Sequence, residues 1–365
     1  MKTIQQILAV GNMLGSIQAI KSGVTSPFDP AFETVTRGIS GDSGTYVRIE
    51  GGRETARLVQ YGAPSVRRNL RGLSTVPVKL AHSFEHQFHD PIILQNLMQY
   101  DNPSVQELGI QEIGRQTGEF KALFVNLRRS AIASMLALGA IYFDADGNLL
   151  PSATGAVVTI NFQMAAGNQG QINWDNNGQI ITASWATAGT DIAGQVEAIK
   201  LAAMKLTGYP LTTAYYGEAV PSYIMGNTVI GSLAVGNPAY NQAFLQNTIP
   251  DGMLGLKWRA AGSALFVDQS GNRQEIWPAD RVTFTPDVSR DWYEMLEGSY
   301  PVPTDIGAVT SDALTSAQAN IRIARGMFNY AHVLSDPVTV KHLAGDTMLP
   351  VLKVPNAIFQ ADVVP

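Results

Sequence analysis

The sequence predicts an α+β fold in which one long helix is combined with many short strands. Apolar residues recur at helical spacing across Asn102–Gly139, and this period is the main sequence signal for an amphipathic helix. Runs rich in β-branched and aromatic residues, separated by turn residues, fill much of the remaining chain. The 365 residues, 45% of them hydrophobic, suffice for one elaborated fold or two intimate subdomains.

The N-terminal 52 residues predict a short helix followed by an extended arm. The helix carries apolar residues at helical spacing, and these are Ile4, Ile7, Leu8, Met13, Leu14 and Ile17. Polar residues interrupt them, so the segment lacks the apolar core of a signal peptide. From 22 to 52 the chain is rich in Gly, Ser, Thr and Pro, which favours an arm with little packing of its own.

The next segment is basic and predicts a long β-hairpin that projects from the body. Between Arg37 and His82 the chain has eight basic residues and three acidic ones, a net charge of +5. Turn-forming residues at 61–64 and 71–72 are flanked by short runs of residues with high β-strand propensity. A two-stranded hairpin has too little core to be stable alone, so we expect it to rest on an acidic surface of a neighbour. The alternative is a solvated basic face.

The long helix has clear signals at both ends. Asn102 is a candidate capping residue and Pro103 suits the first helical position, while Gly139 is typical of a helix end. A helix of this length spans about 50 Å. Glycines at 109, 114 and 118 weaken its first half and predict a bend or break there.

The residues that follow predict a β insertion, a second helix and a block of short strands. Residues 141–182 alternate strand runs with turns, among them the tight turn at 175–178. Thr190 is the predicted cap of the second helix, which ends at Gly208. Short strands alternate with turns from 211 to 300, and strands return from about residue 320. We therefore expect the 190–300 block to be inserted into a discontinuous first domain.

The charges are unevenly distributed, which predicts contacts between copies of the chain. Residues 251–312 contain ten acidic and five basic residues, a net charge of −5 that balances the basic hairpin. Opposite-signed regions of one chain can pair head to tail between copies and close into rings. The candidate contact residues are Arg57, Arg67, Arg68 and Arg71 in the hairpin and Asp287, Asp291, Glu294 and Glu297 in the acidic block.

Composition excludes several classes of function. The chain has no cysteine, which excludes disulfides, zinc-thiolate sites and cysteine nucleophiles. A net charge of −5 argues against a dedicated nucleic-acid binder, which would carry a basic domain. The chain has no apolar run long enough for a transmembrane helix. Charged residues are only 15% of the chain, which fits a surface that neighbouring subunits cover; a merely hydrophobic monomer is the alternative.

The most enzyme-like string is His82-Ser-Phe-Glu-His86, the inverted zinc-protease pattern, with His89 shortly after it. On a helix, His82 and His86 could bind zinc with Glu85 as the base. The flanking residues favour a strand instead, where the two histidines lie about 13 Å apart, too far for one metal. An interface or structural histidine cluster is the preferred interpretation. The strings at 41–44 and 144–147 resemble a protease loop and a calcium loop, and both are interpreted as turns.

Three stretches resemble the lambda-type major capsid proteins, the capsid protein E family, whose fold was first described in phage Hong Kong 97. Residues 128–139, running into the strand and turn at 141–147, are similar to the end of that family's spine helix. Residues 336–337 and 349–359 are similar to its closing strands, and 64–91 to its extended loop.

The resemblance implies a division of the chain into the family's parts. These are an N-terminal helix and arm (1–52), an extended loop (53–91), a peripheral domain with spine helix and β insertion (92–189), an axial domain (190–315) and return strands of the peripheral domain (316–365).

The resemblance also implies a function. It implies a structural capsid protein, not an enzyme and without a cofactor, that assembles in the host cytoplasm into hexamers and pentamers of an icosahedral virion head. The head encloses double-stranded DNA without binding it specifically, with scaffold, portal and decoration proteins as expected partners. The alternatives are an encapsulin-like nanocompartment shell and a zinc hydrolase that uses His82, Glu85 and His86.

Overall fold

The structure is a computed structural model. It describes residues 17, 26–50, 72–88, 92, 95–96, 102–164, 169–170, 181, 183–234, 240, 242–243, 246, 248–261, 265–267, 273–303, 321–335 and 338–364. The predicted N-terminal helix apart from Ile17, the hairpin residues 51–71 and the turns at 175–178 and 336–337 lie outside these ranges.

Mixed helices and strands build the described chain, as the sequence predicts. The helices are α1 (Ala31–Thr34), α2 (Pro103–Leu138), α3 (Ile192–Leu206), α4 (Val220–Gly226) and α5 (Thr228–Ala234). The strands of the first half are β1 (Thr36–Gly38), β2 (Ser43–Glu50), β3 (Gly72–Lys79), β4 (Ala81–Phe88), β5 (Ala140–Phe143), β6 (Leu149–Leu150), β7 (Val158–Asn161) and β8 (Gln169–Gly170). Those of the second half are β9 (Thr213–Tyr216), β10 (Lys257–Ala260), β11 (Leu265–Val267), β12 (Arg273–Glu275), β13 (Arg281–Thr285), β14 (Tyr293–Glu297), β15 (Ser299–Pro303), β16 (Ile321–Arg325), β17 (Phe328–Ser335), β18 (Val338–Leu352) and β19 (Phe359–Asp362).

The first sheet is built around the 15-residue strand β18, with the order β1-β14-β18-β17. Strand β17 pairs antiparallel with the first half of β18, from Phe328 opposite Gly345 to Ser335 opposite Val338. Strand β14 pairs with the last residues of β18, and β4 pairs with its middle. Because Met348 pairs with both β14 and β4, β4 lies on the edge of β18 opposite β14 and β17. Helix α2 packs on one face of this sheet, where Phe120 and Phe124 join a buried cluster with Ala344 and Ile17.

The second sheet has the order β10-β9-β13-β19-β8. Strand β9 lies between β10, which is parallel to it, and β13, which is antiparallel. Helix α3 places Ile192, Val196 and Ile199 in the apolar core beneath this sheet. Burial of these side chains holds the helix in place, since tertiary packing supplies most of a helix's stability.

The described strands pass from one of the two sheets to the other three times, the first time between β4 and β8. Strands β13 and β14 follow each other in sequence but lie in different sheets, and so do β18 and β19. Gln360 of β19 donates a hydrogen bond to the carbonyl of Leu136 in α2 (2.6 Å), so the last strand also contacts the long helix. Each sheet therefore combines strands from separate parts of the sequence. Its backbone hydrogen bonds can form only when all of these parts have come together. The division at 190–315 and 316–365 stays a prediction.

Helix α2 confirms the predicted length and start and corrects two details. Its 36 residues begin with Pro103 and end before Gly139, which adopts a left-handed conformation (φ 67°). Asn102 occupies the N-cap position, but its side chain makes no capping hydrogen bond, so the proline is the signal that marks the start of the helix. The predicted break is wrong: the helix is continuous, because apolar contacts such as those of Ile113 and Phe120 outweigh the low helix propensity of glycine.

The predicted cap of the second helix is displaced by one residue. Helix α3 begins at Ile192, and the Asp191 carboxylate accepts a hydrogen bond from the amide of Gly194 (2.9 Å). The hydroxyl of Thr190 instead donates to the carbonyl of Ser184 (2.6 Å). Both residue types cap helices, but a carboxylate also interacts favourably with the helix dipole.

The predicted β insertion forms a small antiparallel sheet with the order β6-β5-β7. Strand β8, from the same stretch of sequence, pairs with β19 in the second sheet instead. The two-stranded hairpins β2–β3, β11–β12 and β15–β16 complete the described strands.

Candidate interaction surfaces

The His82–His86 segment forms strand β4, as the preferred interpretation requires. It pairs antiparallel with β18, with His86 opposite Leu343 and His82 opposite Thr347. Four residues along a strand separate the histidines by about 13 Å, and the described residues contain no group of three side chains placed to hold a metal ion. The zinc-hydrolase alternative therefore lacks the geometry it needs. Instead, His82 Nδ1 lies 2.6 Å from Thr347 Oγ1.

The loop at 144–147 is a turn, as predicted, whereas 41–44 is a bend that leads directly into β2, which begins at Ser43. The Asp144 carboxylate accepts hydrogen bonds from the amides of Asp146 (2.9 Å) and Asn148 (2.7 Å) and from the Asn148 side chain (2.9 Å). The Asn148 side-chain bond is the main cause that lowers the pKa of Asp144. Gly41 has φ 86° and its amide donates to the Ser299 hydroxyl (2.7 Å). The Asp144 carboxylate is thus occupied within its own turn, and the Gly41 amide is occupied by a distant strand.

The four acidic contact candidates divide into two that are bound by arginines of the same chain and two that are exposed. Glu294 is nearly buried (8% of its side chain exposed) and binds Arg37 at 2.8 Å. Glu297 binds Arg128 at 2.8 Å. Asp287, with 65% of its side chain exposed, accepts a hydrogen bond from Thr212 and lies 3.5 Å from the Lys257 ammonium, which is exposed as well. Asp291 is exposed as well.

Glu294 and Glu297 therefore hold the chain together internally, whereas Asp287 and Asp291 face solvent and stay candidates for contacts with a neighbour. The basic candidates Arg57, Arg67, Arg68 and Arg71 lie outside the described residues.

A buried ion-pair network anchors α2 to the first sheet. Arg128 donates to both carboxylate oxygens of Asp346 in β18 (2.6 and 2.7 Å) and to Glu297 in β14 (2.8 Å). Burial by itself lowers the pKa of Arg128, but the Asp346 and Glu297 carboxylates outweigh it, so the pKa lies above its usual value. No local sequence signal could have found this network, because the partners lie 218 and 169 residues away from Arg128.

The face of the first sheet opposite α2 carries a group of stacked rings. Strand β4 alternates, so His82, Phe84, His86 and Phe88 share one side. Tyr300 of β15 stacks on Phe328 of β17 (4.7 Å between centroids, 6° between planes) and on His82 (5.2 Å). Phe84 contacts Tyr300, Phe328 and Tyr330 at 5.7–6.4 Å.

We call this surface the aromatic face; it consists of His82, Phe84, His86, Phe88, Tyr300, Phe328 and Tyr330. The alternation of rings in His82–Phe88 is the sequence signal that indicates it.

Strand β3 lies in the predicted hairpin, but it pairs antiparallel with β2 (Ser43–Glu50), which lies in the segment predicted as an arm. One face of the pair exposes apolar side chains, with Leu73 59% and Val47 43% exposed. Between the hairpin and the small sheet of β5 and β7 lies a groove of about 540 Å³, lined by Val76, Val78 and Ile160 among others. Exposed apolar side chains on a two-stranded hairpin favour coverage by another surface.

Comparison with known proteins identifies one family. The family model described as phage major capsid protein E matches residues 31–363. None of the curated proteins matches the sequence. Among the described helices, none combines the length and apolarity needed to cross a bilayer.

Among solved structures, the chain is similar to a candidate capsid protein of an Escherichia coli CFT073 prophage. Identity is 11% and the TM-score is 0.52, over 98% of this chain and 99% of that one. It is also similar to a phage-related protein of Bordetella bronchiseptica RB50, at 11% identity and a TM-score of 0.49 over 98% and 97% of the two chains. At such low identity, the likeness to the prophage protein shows the fold alone.

Proposed function

The chain belongs to the phage major capsid protein E family and is a structural capsid protein, not an enzyme; from that premise we propose that its copies form the hexamers and pentamers of an icosahedral head. The observation that carries the proposal is the extent of the family match. Residues 31–363 include α2, both sheets and the described hairpins.

The charge distribution supports a head-to-tail contact between neighbouring subunits. In this proposal the hairpin arginines Arg67, Arg68 and Arg71, together with Arg57, contact Asp287 and Asp291 of the next copy. Glu294 and Glu297 are bound by arginines of their own chain, so in this proposal they make no direct contact with the neighbour and affect it only through long-range electrostatics. Such a contact joins two different patches, and contacts of this kind close into rings.

Charge reversal and its repair test this contact. The triple variant Arg67→Glu/Arg68→Glu/Arg71→Glu should stay folded and fail to assemble. Adding Asp287→Lys and Asp291→Lys should restore assembly, because the reversed charges again attract each other. Normal shells from the triple variant would rule the contact out.

We propose that the head encloses double-stranded DNA without binding it specifically or tightly. Phosphate contacts dominate nonspecific DNA affinity, and a chain of net charge −5 is suited to a wall that DNA can slide along. We also propose that the head assembles in the host cytoplasm together with scaffold, portal and decoration proteins.

Negative-stain electron microscopy of the purified protein tests the function directly. The protein is expressed with and without its neighbouring genes and passed through gel filtration. Closed shells, rings, tubes or sheets are expected. Nuclease-protected DNA inside the shells distinguishes a phage head from an encapsulin-like compartment, which would hold protein cargo. A monomer under every condition would contradict the proposal.

A further inference from the structure

We propose that the aromatic face binds an extended, acidic and partly apolar segment of a second protein. This goes beyond the shell function, because a shell can form whether or not such a segment is present.

The aromatic face is apolar and uncovered on its β4 side. Phe84 is 42% and Phe88 52% exposed, although the rings beneath them are packed and Phe328 is fully buried. Contact with Tyr300, Phe328 and Tyr330 holds the Phe84 ring in place. An exposed ring on a rigid base loses little conformational entropy when it is covered, which is typical of an interface anchor.

The backbone beside the aromatic face favours an extended partner. Among the described strands, β4 pairs with β18 alone. Its other edge therefore has no partner strand within the described chain. A free edge can accept hydrogen bonds from an added strand, and such a strand would place alternate side chains over Phe84 and Phe88.

The charges on this face select acidic side chains. The Lys341 ammonium lies 5.8 Å from the centre of the Phe88 ring, and the exposed His86 is its neighbour on the face. The carboxylates of these strands alternate onto the opposite side: Glu85 lies between His86 and Phe84, and Asp346 is bound by Arg128 beneath the sheet. Within the described strands β4, β15, β17 and β18, the aromatic face thus carries cationic and neutral groups and no carboxylate.

A second copy of the chain is a poorer occupant on the same grounds. Apart from β4, its described strands that expose apolar side chains have basic or neutral sequence neighbours. In β4 the acidic neighbour Glu85 lies on the side of the strand opposite Phe84. Val47 adjoins Arg48, and Ile323, 67% exposed, adjoins Arg322. Such a strand would bring positive charge toward Lys341, which electrostatic complementarity disfavours.

Fluorescence anisotropy with designed peptides tests the proposal. Three labelled probes match the eight residues of β4 and repeat Leu-Ser-Glu-Ser, Leu-Ser-Lys-Ser and Ser-Ser-Glu-Ser, so that Leu and the charged residue lie on the same side of the strand. They are called the Glu/Leu, Lys/Leu and Glu/Ser peptides. The Glu/Leu peptide should bind wild-type protein, and added salt should weaken the binding because it screens charge. Phe84→Ser should weaken this binding about tenfold, as loss of an interface aromatic does. Lys341→Glu should weaken it too and reverse the preference toward the Lys/Leu peptide.

Ile323→Ser is the matched control, since it removes an exposed apolar side chain outside the aromatic face, and it should leave binding unchanged. Circular dichroism confirms that each variant is folded; if Phe84→Ser is not, Lys341→Glu decides alone. Equal binding of the Lys/Leu and Glu/Leu peptides, or no binding of either, would overturn the proposal.

Electron microscopy of the same variants separates this proposal from the shell function. Phe84→Ser should form normal shells. A folded Phe84→Ser protein that forms no shells would show that the aromatic face contacts another copy, and would overturn the proposal while leaving the shell function intact. A wild-type protein that never assembles would contradict the shell function alone.

Discussion

Replacing Arg128 with methionine should destabilise the subunit strongly, because it isolates a buried carboxylate. Asp346 has 1% exposure and receives two hydrogen bonds from Arg128. Removing one partner of a buried ion pair costs roughly 3–5 kcal/mol, since the remaining charge stays away from water. Glu297 has 22% of its side chain exposed, so water replaces part of what it loses and it adds little to the cost.

Urea unfolding of the unassembled subunit, followed by tryptophan fluorescence, measures this cost. The double variant Arg128→Met/Asp346→Leu removes both charges and should recover most of the lost stability, because an apolar pair of similar volume is often as stable as a buried ion pair. Arg115→Met on the same helix is the control. Its partners Glu112 and Glu119 are solvent-exposed or nearly so, so the loss should be small. A single variant as stable as wild type, or a double variant no better than the single one, would refute the reasoning.

Four further substitutions test the contribution of single local contacts to the stability of the subunit. Gly345→Ala should cost about 1–3 kcal/mol in urea unfolding, since the new methyl group would lie 2.5 Å from the Phe328 ring; Gly114→Ala meets no atom within 4 Å and should instead stabilise α2 by up to about 1 kcal/mol. Asp191→Ala should lower the unfolding free energy by about 1 kcal/mol through loss of the α3 cap. The pKa of Asp144 is lowered in the folded state, so its stabilisation is complete above the unfolded pKa near 4 and is lost as pH falls through the folded pKa. The thermal midpoints of wild type and Asp144→Asn should therefore converge in acid, and a constant difference across pH would contradict this.

The elements that the sequence predicts well are those with local signals. Helix α2 has an apolar stripe, a proline at its start and a glycine at its end, and all three lie within the helix or next to it. The turn at 144–147 is predicted for the same reason, since Asp144 binds amides within four residues. The one-residue error at α3 arose because Thr190 and Asp191 are both capping residues and only the backbone path decides between them.

The elements that the sequence could not predict depend on contacts between distant residues. Strand β19 follows soon after β18 in sequence, yet it joins the other sheet, where Gln360 reaches the end of α2 and Arg281 pairs with Asp362. The aromatic face has a local signal in β4, but its base comes from Tyr300 and Phe328, more than two hundred residues later. Period-two alternation assigns side chains to a face without telling which strands share that face.

The internal ion pairs change what the low charge of the sequence means for assembly. Charged residues make up 15% of the chain, and several of them pair with each other across the fold. These pairs are Arg37–Glu294, Arg128–Asp346, Arg129–Glu33 and Arg281–Asp362. The charge left for contacts with neighbours is therefore smaller than composition suggests, and apolar burial must supply most of the affinity between subunits. In the proposed contact, an exposed carboxylate like Asp287 would act mainly on specificity, because a misplaced neighbour would cover it and add no partner to its own Lys257 and Thr212.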